Sequence, residues 1–166
     1  MKVYIASDHG GFELKNQIIN LLDGVYEFED LGPIELDMED DYPVYAIKVA
    51  EAVQKHEDSL GVLICRSGIG VCITANKFKG IHAANCYSVE LAKLSREHNN
   101  ANVLCLDADL KSEDPIEILK AFLETPFSNE ARHRRRVQMI RDIDDGQIEL
   151  KDVITDLPIH DLPLNS

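Results

Sequence analysis

The chain has 166 residues, 45% hydrophobic and 28% charged, enough apolar content for one globular core and too much for a disordered or low-complexity protein. No run approaches the ~20 apolar residues of a membrane span, and Met1 to Asp8 turns polar too early for a secretory leader, so a cytoplasmic protein is expected. The formal net charge of −13, from 17 basic against 30 acidic residues, argues against nucleic acid or a membrane as partner.

Short apolar runs alternate with longer amphipathic ones. Lys2 to Ala6 reads as a strand and Phe12 to Leu22 as a helix, with Phe12, Leu14, Ile18, Ile19, Leu21 and Leu22 as its apolar positions. Val25 to Leu31 alternates like a strand and stops at the turn signal Gly32-Pro33. Pro43 to His56 is helical, with Pro43 placed in the first turn. Leu60 to Cys65 is a buried strand run, and Gly68 to Ala75 continues as a helix. Gly80 to Asn85 and Asn102 to Leu106 read as strands on either side of a helix from Ser88 to Glu97. Asp114 to Leu123 and Ser128 to Ile140 look helical, separated by Pro126.

Strands alternating with helices predict a three-layer αβα, Rossmann-like fold: a five-stranded parallel sheet with helices on both faces. The common order for such a sheet is 2-1-3-4-5, with a helical extension at the C-terminus. The boundary is expected near residue 143, giving a domain over 1–143 and an acidic extension over 144–166 with Pro158, Pro163 and no sustained period.

In an open α/β sheet a ligand binds beyond the carboxyl ends of the strands, at the switch point. That rule brings Ser7-Asp8-His9-Gly10-Gly11 beside Cys65-Arg66-Ser67-Gly68-Ile69-Gly70. Asp8 alone could be a helix cap, and Cys65 alone a buried strand-end thiol. Together they offer more. A cysteine facing a helix start is favoured as thiolate, the amides of Gly68 to Gly70 can hold an oxyanion, Ser67 adds a hydroxyl, and Asp8 and His9 stand opposite as acid–base groups. Proton transfer beside a carbonyl, acyl transfer and phosphatase chemistry would each suit this set.

The four cysteines, Cys65, Cys72, Cys86 and Cys105, form no CxxC pair and have no neighbour at zinc-ligand spacing, so neither a disulfide framework nor a metal site is expected. Five of the seven arginines lie within residues 132–141, while residues 142–166 contribute −6 of the net charge. Arg132 and Arg136 share one helix face, which is either a solvated basic face or, in a chain this acidic, an anion site. His98-Asn99 ends the fourth helix, where the pair could serve as no more than its C-terminal cap. That places His98 at the amino side of its own sheet, so a functional His98 must serve a second subunit.

The sequence resembles the type B ribose-5-phosphate isomerase family, which includes the galactose-6-phosphate isomerase subunits. The resemblance runs from Met1 to about Ile143. It rests on Ser7 to Gly11, Asp41-Tyr42-Pro43, the Cys65 to Gly70 loop, Ala75-Asn76-Lys77, Arg96 to Asn99, Ala101 to Leu104, Arg132-His133 and Arg136-Val137. It implies an aldose–ketose isomerase of the pentose phosphate pathway, without metal or organic cofactor, working as a homodimer or dimer of dimers with shared active sites. Cys65 is then the base that moves a proton between C1 and C2 through a cis-enediolate. Ser67 and the amides of Gly68 to Gly70 stabilise the oxyanion, and Asp8 and His98 assist ring opening. Asn99 holds the sugar, and His9, Arg132 and Arg136 hold the phosphate. Where the family uses glutamate as base, this sequence has Val71.

Two departures bear on the substrate. The loop reads Cys65-Arg66-Ser67-Gly68 where the family has Cys-Gly-Thr-Gly, and Asp107-Ala108-Asp109 stands where it has Gly-Ala-Arg. Arg66 is therefore expected to bind substrate in place of the missing arginine. Ribose 5-phosphate is the first expectation. Allose 6-phosphate, galactose 6-phosphate, an unphosphorylated aldose, or a non-catalytic sugar-phosphate binding module are the alternatives.

Overall fold

A computed structural model describes residues 1–56 and 58–148. The elements follow in order: β1 (Lys2–Ser7), α1 (Phe12–Leu22), β2 (Glu27–Asp30), α2 (Tyr42–Lys55), β3 (Leu60–Cys65), α3 (Ile69–Ala75), β4 (Ala83–Asn85), α4 (Val89–Asn99), β5 (Val103–Asp107), α5 (Pro115–Glu124) and α6 (Ala131–Asp144). Every predicted element is present, most with ends shifted by one to three residues. Among the described residues no helix is long and apolar enough to cross a membrane.

All five strands are parallel and side chains alternate between the two faces. Val3, Ile5, Val62, Ile64, Leu104 and Leu106 pack with Ile18 of α1, Ala92 of α4 and Phe122 of α5. Tyr4, Ala6, Leu63, Cys65 and Cys105 face the other way, onto Ala46, Val49 and Ala50 of α2 and Val71 and Ala75 of α3. β3 and most of β5 are buried on both faces, which is why they read as unbroken apolar runs.

The sheet order is β2-β1-β3-β5-β4, which corrects the expected 2-1-3-4-5. β4 has three residues, Ala83-Ala84-Asn85, all half-buried, and it pairs with β5 alone. Such a short strand of small and polar residues suits an edge. The longer apolar β5 takes the place beside β3, with Cys65 in register with Asp107. The exchange has a chemical consequence: the loop after β5, with Asp107 to Asp109, lies next to the Cys65 loop instead of one strand further away.

α6 packs on α4 through His133 and Val137 and is tied at its far end. There Gly80 N–H donates to Asp144 Oδ2 at 2.8 Å, and Lys79 pairs with Asp145. The acidic extension expected over 144–166 is described only as far as 148; residues 149–166 lie outside the described residues.

One buried cation stands out in the core. Lys15 of α1 has no exposed surface, and its Nζ donates to Asp30 Oδ2 at 2.5 Å and to Asn16 Oδ1 at 3.2 Å. The pair joins α1 to the end of β2.

Candidate active site

The crevice forms where the chain departs in opposite directions from β1 and β3. Ser7 registers with Ile64, so Asp8, just past the end of β1, lies beside Cys65, the last residue of β3. Asp8 N–H donates to Ile64 O at 3.3 Å, which binds the first loop to the end of β3. Close approach requires glycine: a Cβ on Gly11 would stand 2.6 Å from Ile64 O. Asp8 is buried, and its Oδ1 accepts from Gly11 N–H at 3.1 Å. Gly11 takes the N-cap place of α1, which has no side-chain cap, so Asp8 is not the helix cap and instead braces the turn before the helix with one carboxylate oxygen.

His9 is held by Asp40, which no sequence pattern singles out. Its ring Nδ1 lies 2.7 Å from Asp40 Oδ1, and its backbone N–H donates to the same oxygen at 3.0 Å. The bond to Asp40 raises the histidine's pKa above 6.5, which favours the imidazolium, the form that binds an anion. Burial works against ionisation of Asp40, but the hydrogen bonds from His9 outweigh it and its pKa falls below 3.8. Asp40 lies in the acidic run Glu35 to Asp41, and only the fold distinguishes it from its solvated neighbours.

Cys65 is 6% exposed at the carboxyl end of β3. The chain then turns into α3 through Gly68, whose φ of +70° suits glycine. Ser67 Oγ accepts from Ile69 N–H at 3.3 Å, which leaves its own hydroxyl proton free to donate. The N–H groups of Gly70 and Val71 open the helix and have no carbonyl within it to bond. Asn85, at the end of β4, braces this loop by donating from Nδ2 to Ser67 O at 3.1 Å. Tyr42 covers Gly70 so closely that a Cβ there would lie 2.7 Å from the ring. Asn85 and Tyr42 had no functional assignment from sequence, although Tyr42 belongs to a matching motif. Val71 is fully buried, so the start of α3 carries no acid at that position.

The thiol brought down to a pKa of about 7 is Cys72, one turn into α3. Its main cause is Cys105, and Cys105 is correspondingly pushed up, first by burial. Cys72 Sγ donates to Ala83 O at 3.4 Å and receives Asn76 Nδ2 at 3.5 Å.

The remaining site residues gather elsewhere. His98 stacks on His133, with ring centroids 4.2 Å apart, and Ser128 Oγ lies 2.7 Å from His133 Nδ1. Desolvation, then the charges of His98 and Arg132, lower the pKa of His133. Arg136 contributes in the same direction, which places Arg132, Arg136, His98 and Asn99 in one basic region of α4 and α6. Arg132 Nε pairs with Glu130 Oε2 at 2.9 Å, while Arg136 makes no ion pair among the described residues. The helix cap is Asn100, with φ 49°, and His98 and Asn99 lie inside the last turn instead of capping it. α4 ends just before β5 begins, whereas Cys65 registers with the end of β5; four residues of strand separate the two levels, about 13 Å. The residues singled out from the sequence therefore fall into two separate groups, Asp8-His9 with Cys65 to Gly70, and His98-Asn99 with Arg132 and Arg136.

A family model of ribose/galactose isomerases matches residues 3–140. The chain belongs to this family. Its fold superposes on ribose-5-phosphate isomerase B from Mycoplasma genitalium with bound ribulose-5-phosphate at a TM-score of 0.82 and 43% identity, covering 87% of this chain and 96% of that one. The Clostridium thermocellum ribose-5-phosphate isomerase B superposes with a TM-score of 0.82 at 40% identity, over 89% of this chain and all of the other. Ribose-5-phosphate isomerase B of Mycolicibacterium paratuberculosis is 41% identical over 142 residues, 84% of this chain and 89% of that protein.

Proposed function

We propose that the protein is an aldose–ketose isomerase that interconverts ribose 5-phosphate and ribulose 5-phosphate in the cytoplasm. The observation that carries this reading is the meeting of Asp8-His9 with the Cys65 to Gly70 loop at the switch point. Its four free thiols suit a reducing compartment.

The chemistry follows from the positions. Cys65 Sγ, as thiolate, takes the proton from C2 of the open-chain aldose, and the electron pair forms the C1–C2 double bond of a cis-enediolate. The Ser67 hydroxyl and the opening amides of α3 hold the developing oxyanion. Cys65 returns the proton to C1, while the hydroxyl proton passes from O2 to O1, so no proton or electron is gained or lost. Asp8, buried beside the loop, assists opening of the furanose ring. His9, held as imidazolium by Asp40, faces the phosphate.

The half-site on α4 and α6 completes the machinery of a second copy, with His98 joining ring opening, Asn99 holding the sugar, and Arg132 and Arg136 holding the phosphate. Their place at the opposite end of their own sheet supports this, because they cannot serve the Cys65 of the same chain. A homodimer, or a dimer of dimers, with shared sites is the assembly this requires. Residues 1–143 form the catalytic domain, and residues 144–166 an acidic extension that the chemistry does not need.

Turnover of ribose 5-phosphate in D2O tests the reading. The wild type converts it with deuterium incorporated into the sugar, and Cys65→Ala reduces kcat by about 1,000-fold or more. An unchanged rate in Cys65→Ala sinks the cysteine mechanism. A panel including allose 6-phosphate and galactose 6-phosphate decides between five and six carbons. Binding without turnover of any of them marks a sugar-phosphate binding module instead.

A further inference from the structure

Arg66 and Asp109 occupy adjacent loops because β5 lies beside β3. Asp109 N–H donates to Arg66 O at 3.4 Å, and the side chains pair with Nη1 3.5 Å from Oδ2. The two side chains are 65% and 64% exposed, so the pair is open to a ligand. The stem of Arg66 runs over Gly10, where a Cβ would stand 2.7 Å from Arg66 Cγ. The guanidinium therefore reaches the cavity of about 530 Å³ that His9, Gly10, Arg66, Ala108 and Asp109 help to line. Among the described residues it is the one Lys or Arg in that lining, and its charge acts on His9.

We propose that Asp109 is a positioning residue that holds Arg66 to receive the phosphate of the substrate, and that it acts through Arg66 alone. The inference rests on the isomerase reading above. A guanidinium carries five N–H donors, so one edge can face Asp109 while another meets a phosphate oxygen. Paired, the two side chains present no net charge and a directed donor. Without Arg66, Asp109 is a bare carboxylate that joins Glu13 in the lining of the cavity proposed to take the phosphate. The effect of Asp109 must then change sign with the residue at position 66.

Steady-state kinetics with ribose 5-phosphate on four proteins test this. Arg66→Gln raises KM about 10-fold while kcat stays within about 2-fold. Asp109→Asn alone raises KM about 3-fold by loosening Arg66. In the double variant, removing the bare carboxylate lowers KM below that of Arg66→Gln. Arg66→Lys, which keeps the charge and loses the fork, lies between the wild type and Arg66→Gln. Both residues are exposed, so thermal melts of all variants should coincide with the wild type. An unmoved KM in Arg66→Gln overturns the proposal. So does a lower KM in Asp109→Asn, or a double variant no better than Arg66→Gln. If the wild type itself does not turn over ribose 5-phosphate, the isomerase reading fails first; if it does, these outcomes bear on Arg66 and Asp109 alone.

Discussion

Gly68→Ala measures how tightly the Cys65 to Gly70 loop is held. Three costs add at this position. The φ of +70° is strained for alanine by about 1–2 kcal/mol. The new Cβ would stand 2.5 Å from Asn85 Oδ1 and 3.1 Å from the Leu106 carbonyl carbon, an overpacking worth about 1–3 kcal/mol. If the Asn85 amide swings away, it loses its bond to Ser67 O, a further ~1 kcal/mol. Reduced freedom of the unfolded chain offsets about 0.4–1 kcal/mol, which leaves a net loss of about 4 kcal/mol. Gly24 is the control. Its φ is +77° and nothing lies within 4 Å of the added Cβ, so Gly24→Ala costs about 1 kcal/mol from strain alone. Urea unfolding at 25 °C gives both values, and the double variant Gly68→Ala/Asn85→Ala should recover part of the difference. Because the loop carries Ser67 and the opening amides of α3, Gly68→Ala should also lower kcat/KM by about 100-fold. Equal destabilisation by the two glycine substitutions, with kcat/KM intact, would refute the reasoning.

Three further outcomes follow from the geometry. His9 has a raised pKa, so its contribution to stability is present below pH 6.5 and is lost as pH rises through the folded value; Asp40 has a lowered pKa, so its share is present above pH 3.8 and is lost as pH falls through its folded value. In kinetics, KM for the sugar phosphate rises as His9 deprotonates, and Asp40→Asn moves that rise to lower pH; a pH profile of KM identical in wild type and Asp40→Asn contradicts the role. Asp30→Asn leaves the buried Lys15 without its counter-ion and costs about 2–3 kcal/mol in urea unfolding, discounted because the Asp30 side chain is 33% exposed, whereas Lys15→Met costs under about 1 kcal/mol. Arg136→Gln raises KM about 10-fold with kcat retained, and a loss in kcat alone would place Arg136 outside phosphate binding.

The strands and helices were legible because their periodicities are clean: Leu60 to Cys65 is apolar throughout, and α2 keeps its inward face at Tyr45, Ala46, Val49, Ala50 and Val53. The position of the crevice was legible too, since two loops rich in glycine and titratable groups follow β1 and β3. The sheet order was not, because the alternation of strands and helices is the same in both orders. The brevity of Ala83 to Asn85 beside the apolar run Val103 to Leu106 was the signal that separated them. Asp40 was hidden for a different reason. A carboxylate in an acidic run looks solvated until the fold buries it against His9. Asn85 and Tyr42 act through packing against glycines 68 and 70, contacts between residues 17 and 28 positions apart that no local pattern records. The contact of Arg66 with Asp109 depends on the same strand exchange, so the two departures form one ion pair that the sequence alone does not show.

The central claim is that Cys65 of one chain works with His98 of another. Subunit complementation tests it most directly. Cys65→Ala and His98→Ala are each inactive in ring-closed ribose 5-phosphate turnover, and the two are unfolded together, refolded and assayed. With shared sites, a mixed dimer has one site with both defects and one fully intact, so a random mixture regains about a quarter of wild-type activity. A mixture no more active than its two parents would contradict the account.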